Sequence, residues 1–289
     1  MERNQLSRGN KVNVYRPGSS LETINNKVEF DVFSYPLRWT NEHFQVYRCS
    51  FSEVKYKKST GYRFASVADA EQPQSEEHGR VLTQKMAAKW ACQIGHSHAN
   101  LVRTYAMRRL LENHSFEHLA DILTMKIGRN IEHGLDCALF SINAQDQEKE
   151  HFLVAHVDYT SQIRTRRRHF GKDEAMRLTP DDPTRDPSIG GILIALAQRL
   201  RQAELKKTHH RVHLIVSCFG GNARIGVYST TVRKSFLQFI NFPFLPLRSN
   251  RLDISYTPIS FTPYTSLHKR VVGVIYSHRQ MLKANLGKG

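Results

Sequence analysis

A capped apolar helix runs straight into alternating strands in the C-terminal half of this chain. That order constrains the fold more than any other feature. Asp186-Pro187 marks the start, with Asp at the N-cap and Pro at the first helical position. Ile189, Ile192, Leu193, Leu196 and Leu200 follow at helical spacing, up to a basic run around Lys206. In 211–218, Val212, Leu214, Val216 and Cys218 point one way, while Arg211, His213 and Ser217 point the other. Gly220-Gly221-Asn222 supplies a turn. In 223–229, Ile225 and Val227 share one face; Arg224 and Tyr228 share the other. A short helix is predicted over 232–240, ended by Pro243 and Pro246. Strand 252–261 buries Leu252, Ile254 and Tyr256. After Pro258 the apolar phase moves to Ile259 and Phe261, which predicts a bulge on an edge strand. A last helix starts at Thr265 or Ser266 and carries Leu267, Val271, Ile275 and Leu282. The order predicts an α+β fold, a mostly antiparallel sheet with helices on one side.

The N-terminal half reads as richer in helix. Residues 1–25 are polar and expected to be a flexible N-terminus. Strands are predicted over 28–38, 43–50 and 61–67, and an acidic loop over 69–79. Three helices follow. The first carries Leu82, Met86, Trp90 and Ile94 and stops at Gly95; the second carries Leu101, Tyr105 and Leu110. The third carries Phe116, Leu119, Leu123 and Ile127 and stops at Gly128. Strands at 136–142 and 152–159 form a hairpin with a long loop. Residues 161–186, with a basic run and then Asp181, Asp182 and Asp186, read as an exposed loop or linker. It separates an α+β region, 26–160, from a basic α+β region, 187–289; the two are compatible with one continuous domain.

Charge points to partners. Lys and Arg number 42 against 26 Asp and Glu, a net of +16. From Lys206 to Gly289 there are 13 basic residues and a single acid, Asp253. A sustained positive potential attracts polyanions, so an acidic partner is expected, DNA or RNA among the candidates. Arg211, His213 and Arg224 are expected to form one positive sheet face with Tyr228 between them, a setting for phosphate contact and base stacking. Arg251 extends it, as do Lys269, Arg270, Arg279 and Lys283 on the last helix. Arg164, Arg166, Arg167 and Arg168 form a second basic run, suited to a phosphate-gripping loop or a nuclear-import signal.

Several chemistries find little support. The longest apolar run, Ile189 to Ala197, is far short of the ~18 residues of a membrane span, and the N-terminus has no secretory apolar region. Cys49, Cys92, Cys137 and Cys218 are widely spaced, which suggests a reducing, intracellular location, nucleus or cytoplasm. Cys92, His96 and His98, with His114 and His118, are too irregular for a zinc site, and no metal or cofactor is expected. Asp136 and Asp158 lie on neighbouring predicted strands with Glu112 or Glu117 before them, the remnant of a nuclease-like carboxylate set. Cys218-Phe219-Gly220-Gly221 reads as a turn rather than a nucleophile. No phosphate-binding loop or Rossmann glycine pattern occurs.

The stretch Asp186-Pro187, Gly191 to Gln198, His213 to Val216, Val227-Tyr228, Phe236-Leu237 and Phe242-Pro243 resembles a segment of uncharacterised proteins from filamentous fungi, over about residues 186–276. The resemblance implies an intracellular fungal protein encoded among secondary-metabolite genes, and it brings no catalytic residues. Two readings follow: a non-catalytic protein that binds an acidic partner, or an enzyme or accessory protein of a fungal secondary-metabolite pathway. A degenerate nuclease-like fold is a third.

Overall fold

The computed structural model describes residues 33–55, 84–112, 116–128, 130–142, 153–217, 224–242 and 251–286, with side chains in the last helix as far as Ser277. Expectations for 1–25, 61–67, 69–79 and the Gly220-Gly221-Asn222 turn lie outside the described residues. Seven strands form one mixed sheet in the order β1-β7-β6-β5-β4-β3-β2. They are β1 (Cys49–Glu53), β2 (Phe116–Ile127), β3 (Ile131–Ile142), β4 (Leu153–Asp158), β5 (His209–Ser217), β6 (Arg224–Arg233) and β7 (Leu252–Ser260). β1–β7 and β4–β5 are parallel; the other four pairings are antiparallel. The α+β class and the mostly antiparallel sheet hold.

Helices cover both faces of the sheet, not one. On one face lie α1 (Asn41–Val46), α6 (Pro187–Ala203) and α7 (Lys234–Asn241). On the other lie α2 (Gln84–His96), α3 (Asn100–Glu112) and α8 (Leu267–Leu286). α6 is buried on nearly every side, from Pro187 to Gln198. A Cβ on Gly190 would sit 2.6 Å from the Phe44 ring, and one on Gly191 would sit 2.7 Å from Pro36. Those two glycines let α1 and the 3-10 turn Pro36–Arg38 close over α6.

Two-sided burial explains the shift at Pro258. Leu252, Ile254 and Tyr256 enter one core, Ile259 and Phe261 the other, while the β6–β7 register runs unbroken from Arg224↔Ser260 to Ser229↔Ser255. There is no bulge, and β7 lies inside the sheet between β1 and β6. The Leu252 N–H and the Tyr256 carbonyl point toward β1, so the Pro258 nitrogen shares that side. It falls beyond the last β1–β7 pair, Glu53↔Tyr256, where no ladder bond is wanted from it.

Other expectations change too: the described part of the strand expected over 28–38 is a turn and the 3-10 helix Pro36–Arg38. Residues 41–46 are helix and the strand is confined to 49–53, because Thr40 and His43 form a capping box at the helix start. Residues 116–127 are a strand, not the third helix. Leu123, Met125 and Ile127 alternate into the core while Leu119 and Ile122 are exposed, so the helical spacing of the apolar residues was coincidental. Residues 161–186 are no linker: α4 (Tyr159–Phe170) and α5 (Lys172–Leu178) occupy most of it. With α6 they supply the crossover that a parallel β4–β5 pair requires.

α4 is held by a buried ion pair. Its inward stripe is Tyr159, Gln162 and Arg166. Arg166 donates to both oxygens of Asp186 at 2.6 and 2.7 Å and to the Leu37 carbonyl at 2.9 Å. Asp186 also accepts from the Tyr159 hydroxyl at 2.7 Å and, as N-cap of α6, from the Ser188 N–H at 2.9 Å. Burial works against the Arg166 charge, but the bonds to Asp186 outweigh it and raise its pKa. One ion pair thus ties α4, α6 and the 3-10 turn together.

Candidate functional site: a cleft where the sheet splits

The β3–β4 ladder runs from Ser141↔Leu153 to Ala138↔His156 and stops. β4 stays paired with β5 as far as Asp158↔Ser217, and β3 stays paired with β2 as far as Ile131. The sheet therefore splits between β3 and β4 at the carboxyl end of β4. A cleft of about 700 Å³ occupies the split, within the volume range of small-molecule sites. The carboxyl ends of strands are also where open α/β sheets receive ligands. α3 forms one wall, α4 a second and the β2–β3 hairpin a third.

Buried polar contacts join the walls of the cleft. Arg103 of α3 donates to both oxygens of Asp158, at 2.5 and 2.9 Å, and both side chains are buried. Asp158 also caps α4 by accepting from the Ser161 N–H at 3.0 Å. Asn100 of α3 donates to the Ser161 hydroxyl at 2.6 Å. Asp158 thereby fixes α3, β4 and α4 to one another.

His156, two residues earlier on the same strand face, forms part of the floor. Its Nε2 lies 2.9 Å from the Ser217 hydroxyl. Burial, the largest influence, pushes its pKa down to about 4; Asp158 pulls it up and Arg103 pushes it down. The ring is uncharged at neutral pH. Tyr35 donates to the Gly134 carbonyl at 2.7 Å, and burial and then the Asp136 charge raise its pKa to about 12. Burial, then Asp136 and Asp121, likewise lift the Cys137 thiol to about 12, so it stays protonated and a poor nucleophile.

The walls carry opposite charge. Arg164 and Arg168, one helical turn apart on α4, both line the cleft. They are exposed and have no ion-pair partner among the described residues. Arg108 of α3 also lines it but is paired with Glu112 at 2.7 Å. Facing them on β2 and β3 are Asp121, 2.9 Å from His118, and Asp136.

The basic run thus divides by helical geometry. Arg166 points into the core, Arg164 and Arg168 point to the cleft, and Arg167 is exposed away from it. The single basic sheet face expected in the tail does not form. Cross-strand pairs put Arg211 and His213 on the face of Thr231 and Ser229, while Arg224 falls on the Tyr228 face. Thr231, opposite Arg211, lies seven residues from Arg224 along β6, roughly 23 Å at ~3.3 Å per residue. His213 is fully buried, with Nδ1 2.7 Å from the Ser229 hydroxyl. Tyr228 is also fully buried and donates to the Thr184 carbonyl at 2.9 Å. A one-sided sheet would leave both in solvent; helices on both faces bury them. Arg251 pairs with Asp253, Lys269 is exposed, and Arg270 donates to the Ser260, Phe261 and Pro263 carbonyls. Arg279 and Lys283 lie on α8, their side chains outside the described part.

Of the carboxylates singled out in the sequence, Asp136 and Asp158 do line the same cleft. Glu112 pairs instead with Arg108 and Arg109, and Glu117 is exposed on β2. Cys92, His96 and His98 are exposed, and His96 bonds the Tyr264 hydroxyl. His114 and Cys218 lie outside the described residues. Among the described residues no three His, Cys, Asp or Glu side chains gather as a metal site, and no helix is long and apolar enough to cross a membrane. Sequence reasoning missed His156, Gln162, Arg103 and Arg108. The one signal for His156 was its place as the only ionisable residue in the run Leu153 to Val157.

Compared with known proteins, the chain matches no family model, no curated protein and no solved structure.

Proposed function

We propose that this protein binds an acidic partner in the split-sheet cleft, holding the anion on Arg164 and Arg168. One observation carries the reading: two exposed arginines, a helical turn apart, share a concave wall and have no ion-pair partner among the described residues. Arg166 is taken up by Asp186 and Arg167 lies away from the cleft, so Arg164 and Arg168 are the α4 charges left for a ligand there. A nucleic-acid strand suits them, because an arginine fork matches phosphate oxygens and Tyr105, 58% exposed at the cleft, offers a face for stacking. The test is binding of a short single-stranded RNA or DNA at ~50 mM salt, where phosphate contacts are strongest. Arg164→Gln with Arg168→Gln should remove most of the affinity. Absence of binding by the parent protein would remove a nucleic-acid strand as the partner, and full binding by the variant would sink the reading.

A second reading, an intracellular enzyme or accessory protein of a fungal secondary-metabolite pathway, is favoured by the uncharged buried imidazole of His156 in the cleft floor. A group of that kind can serve proton transfer as well as binding. Altered metabolites on deleting the gene would support it; unchanged metabolites and growth would count against it.

A further inference from the structure

Two side chains that line the cleft each carry a buried polar atom without a partner. His156 Nδ1 and Gln162 Oε1 have no hydrogen-bond partner among the described residues. His156 is 1% exposed and Gln162 6%, and both line the cleft. A buried donor or acceptor without a partner is costly, so native structures keep few of them. Around these two atoms the other groups are used: Asp158 by Arg103 and Ser161, His156 Nε2 by Ser217, Asn100 by Ser161.

The cleft thus has four chemically distinct parts. Cations lie on α4, carboxylates on β2 and β3, an exposed aromatic ring on α3, and uncharged polar atoms at the floor. A simple anion would engage only the first. A ligand that engages all four needs an anionic group, hydroxyl donors for Asp136, a flat body for Tyr105 and a polar edge for the floor. Phosphate, ribose, base face and base edge supply these in one molecule. The Ser217 bond fixes the His156 ring plane, and its low pKa keeps the ring uncharged, so the floor reads a neutral edge without adding a charge.

We propose that the cleft binds a 5′-nucleotide unit, free or at the end of a single strand, with its phosphate on Arg164 and Arg168 and its base edge on His156 and Gln162. The proposal rests on the cleft being the acidic-partner site, and it names what enters it.

Calorimetric titration of the full chain at ~50 mM salt tests it. The probes are adenosine 5′-monophosphate, adenosine, ribose 5-phosphate and inorganic phosphate, with a short single-stranded RNA in a parallel arm. The nucleotide should bind, and each fragment should bind at least ~10-fold more weakly. Gln162→Leu should weaken nucleotide binding about tenfold, the loss of one hydrogen bond. Tyr105→Ala, at an exposed position that does not threaten folding, should weaken the nucleotide and leave inorganic phosphate unchanged. RNA binding with no preference for the nucleotide over phosphate, and with Gln162→Leu and Tyr105→Ala neutral, overturns this inference while the acidic-partner reading stands. Binding of none of the probes overturns both. Nucleotide binding without RNA binding supports the inference and makes the free nucleotide the source.

Discussion

The tail from Lys206 to Gly289 and the helix Tyr159–Phe170 are both rich in cations, and the structure treats them in opposite ways. In the tail, Arg211 and Arg224 fall on opposite faces and toward opposite ends of the sheet, and Arg270 is used on backbone carbonyls. On α4, helical geometry sorts four arginines into three environments. One is locked in the core, two face a cleft and one faces solvent elsewhere. A count of charges therefore says little about a binding surface; the period of the element that carries them decides it.

The sharpest way to break this contrast is through the buried arginine. Arg166→Ala leaves Asp186 charged and buried, so stability should fall by about 3–5 kcal/mol in urea unfolding. A loss under ~1 kcal/mol would place Arg166 with surface pairs and undo the division of α4. Protonation of His156 gives the next largest effect. Its folded pKa is depressed from 6.5 to about 4, so the folded state binds fewer protons than the unfolded state between those values. Stability is then held above pH 6.5 and lost as pH falls toward 4, by up to about 3 kcal/mol. His156→Gln should flatten that limb of the stability–pH curve; an unchanged limb would assign the acid loss elsewhere.

Gly190→Ala tests the packing that carries α6. Helix propensity alone favours Ala by ~1 kcal/mol, but the new Cβ would stand 2.6 Å from the Phe44 ring, and overpacking costs ~1–3 kcal/mol. The variant should be destabilised, less so with Phe44→Leu beside it. A more stable Gly190→Ala would show that α1 yields freely. The smallest stability effect belongs to the cleft arginines: Arg164→Gln and Arg168→Gln should each stay within ~0.5 kcal/mol of the parent, although they carry the proposed function.

Much of the C-terminal half was legible because its signals are local. Asp186 caps and Pro187 opens α6 as their chemistry dictates, and β5, β6 and β7 follow the alternation of Val212, Ile225 and Leu252. α4 was hidden because its inward stripe is Tyr159, Gln162 and Arg166, of which Tyr159 and Arg166 are made buriable by Asp186, 27 and 20 residues away. β2 was hidden because an edge strand exposes Leu119 and Ile122, and those apolar positions imitate a helical stripe. Asp136 and Asp158 were placed on neighbouring strands correctly. The cleft between them depends on where a ladder stops, and no local pattern encodes that. The tail's sheet face failed for a related reason: register and a second helix layer, both non-local, decide which way His213 and Tyr228 face.

The most direct measurement compares two charge-matched variants, Arg164→Gln/Arg168→Gln and Arg211→Gln/Arg224→Gln, for binding to one single-stranded RNA across a salt series. Both remove the same net charge, so a diffuse positive field would weaken them equally. The cleft account predicts that the α4 variant loses most of its affinity and that its log K against log salt slope shrinks by about 1.4, two contacts at ~0.7 each, while the tail variant keeps the parent slope. Equal losses in the two variants, or a larger loss in the tail variant, would contradict it.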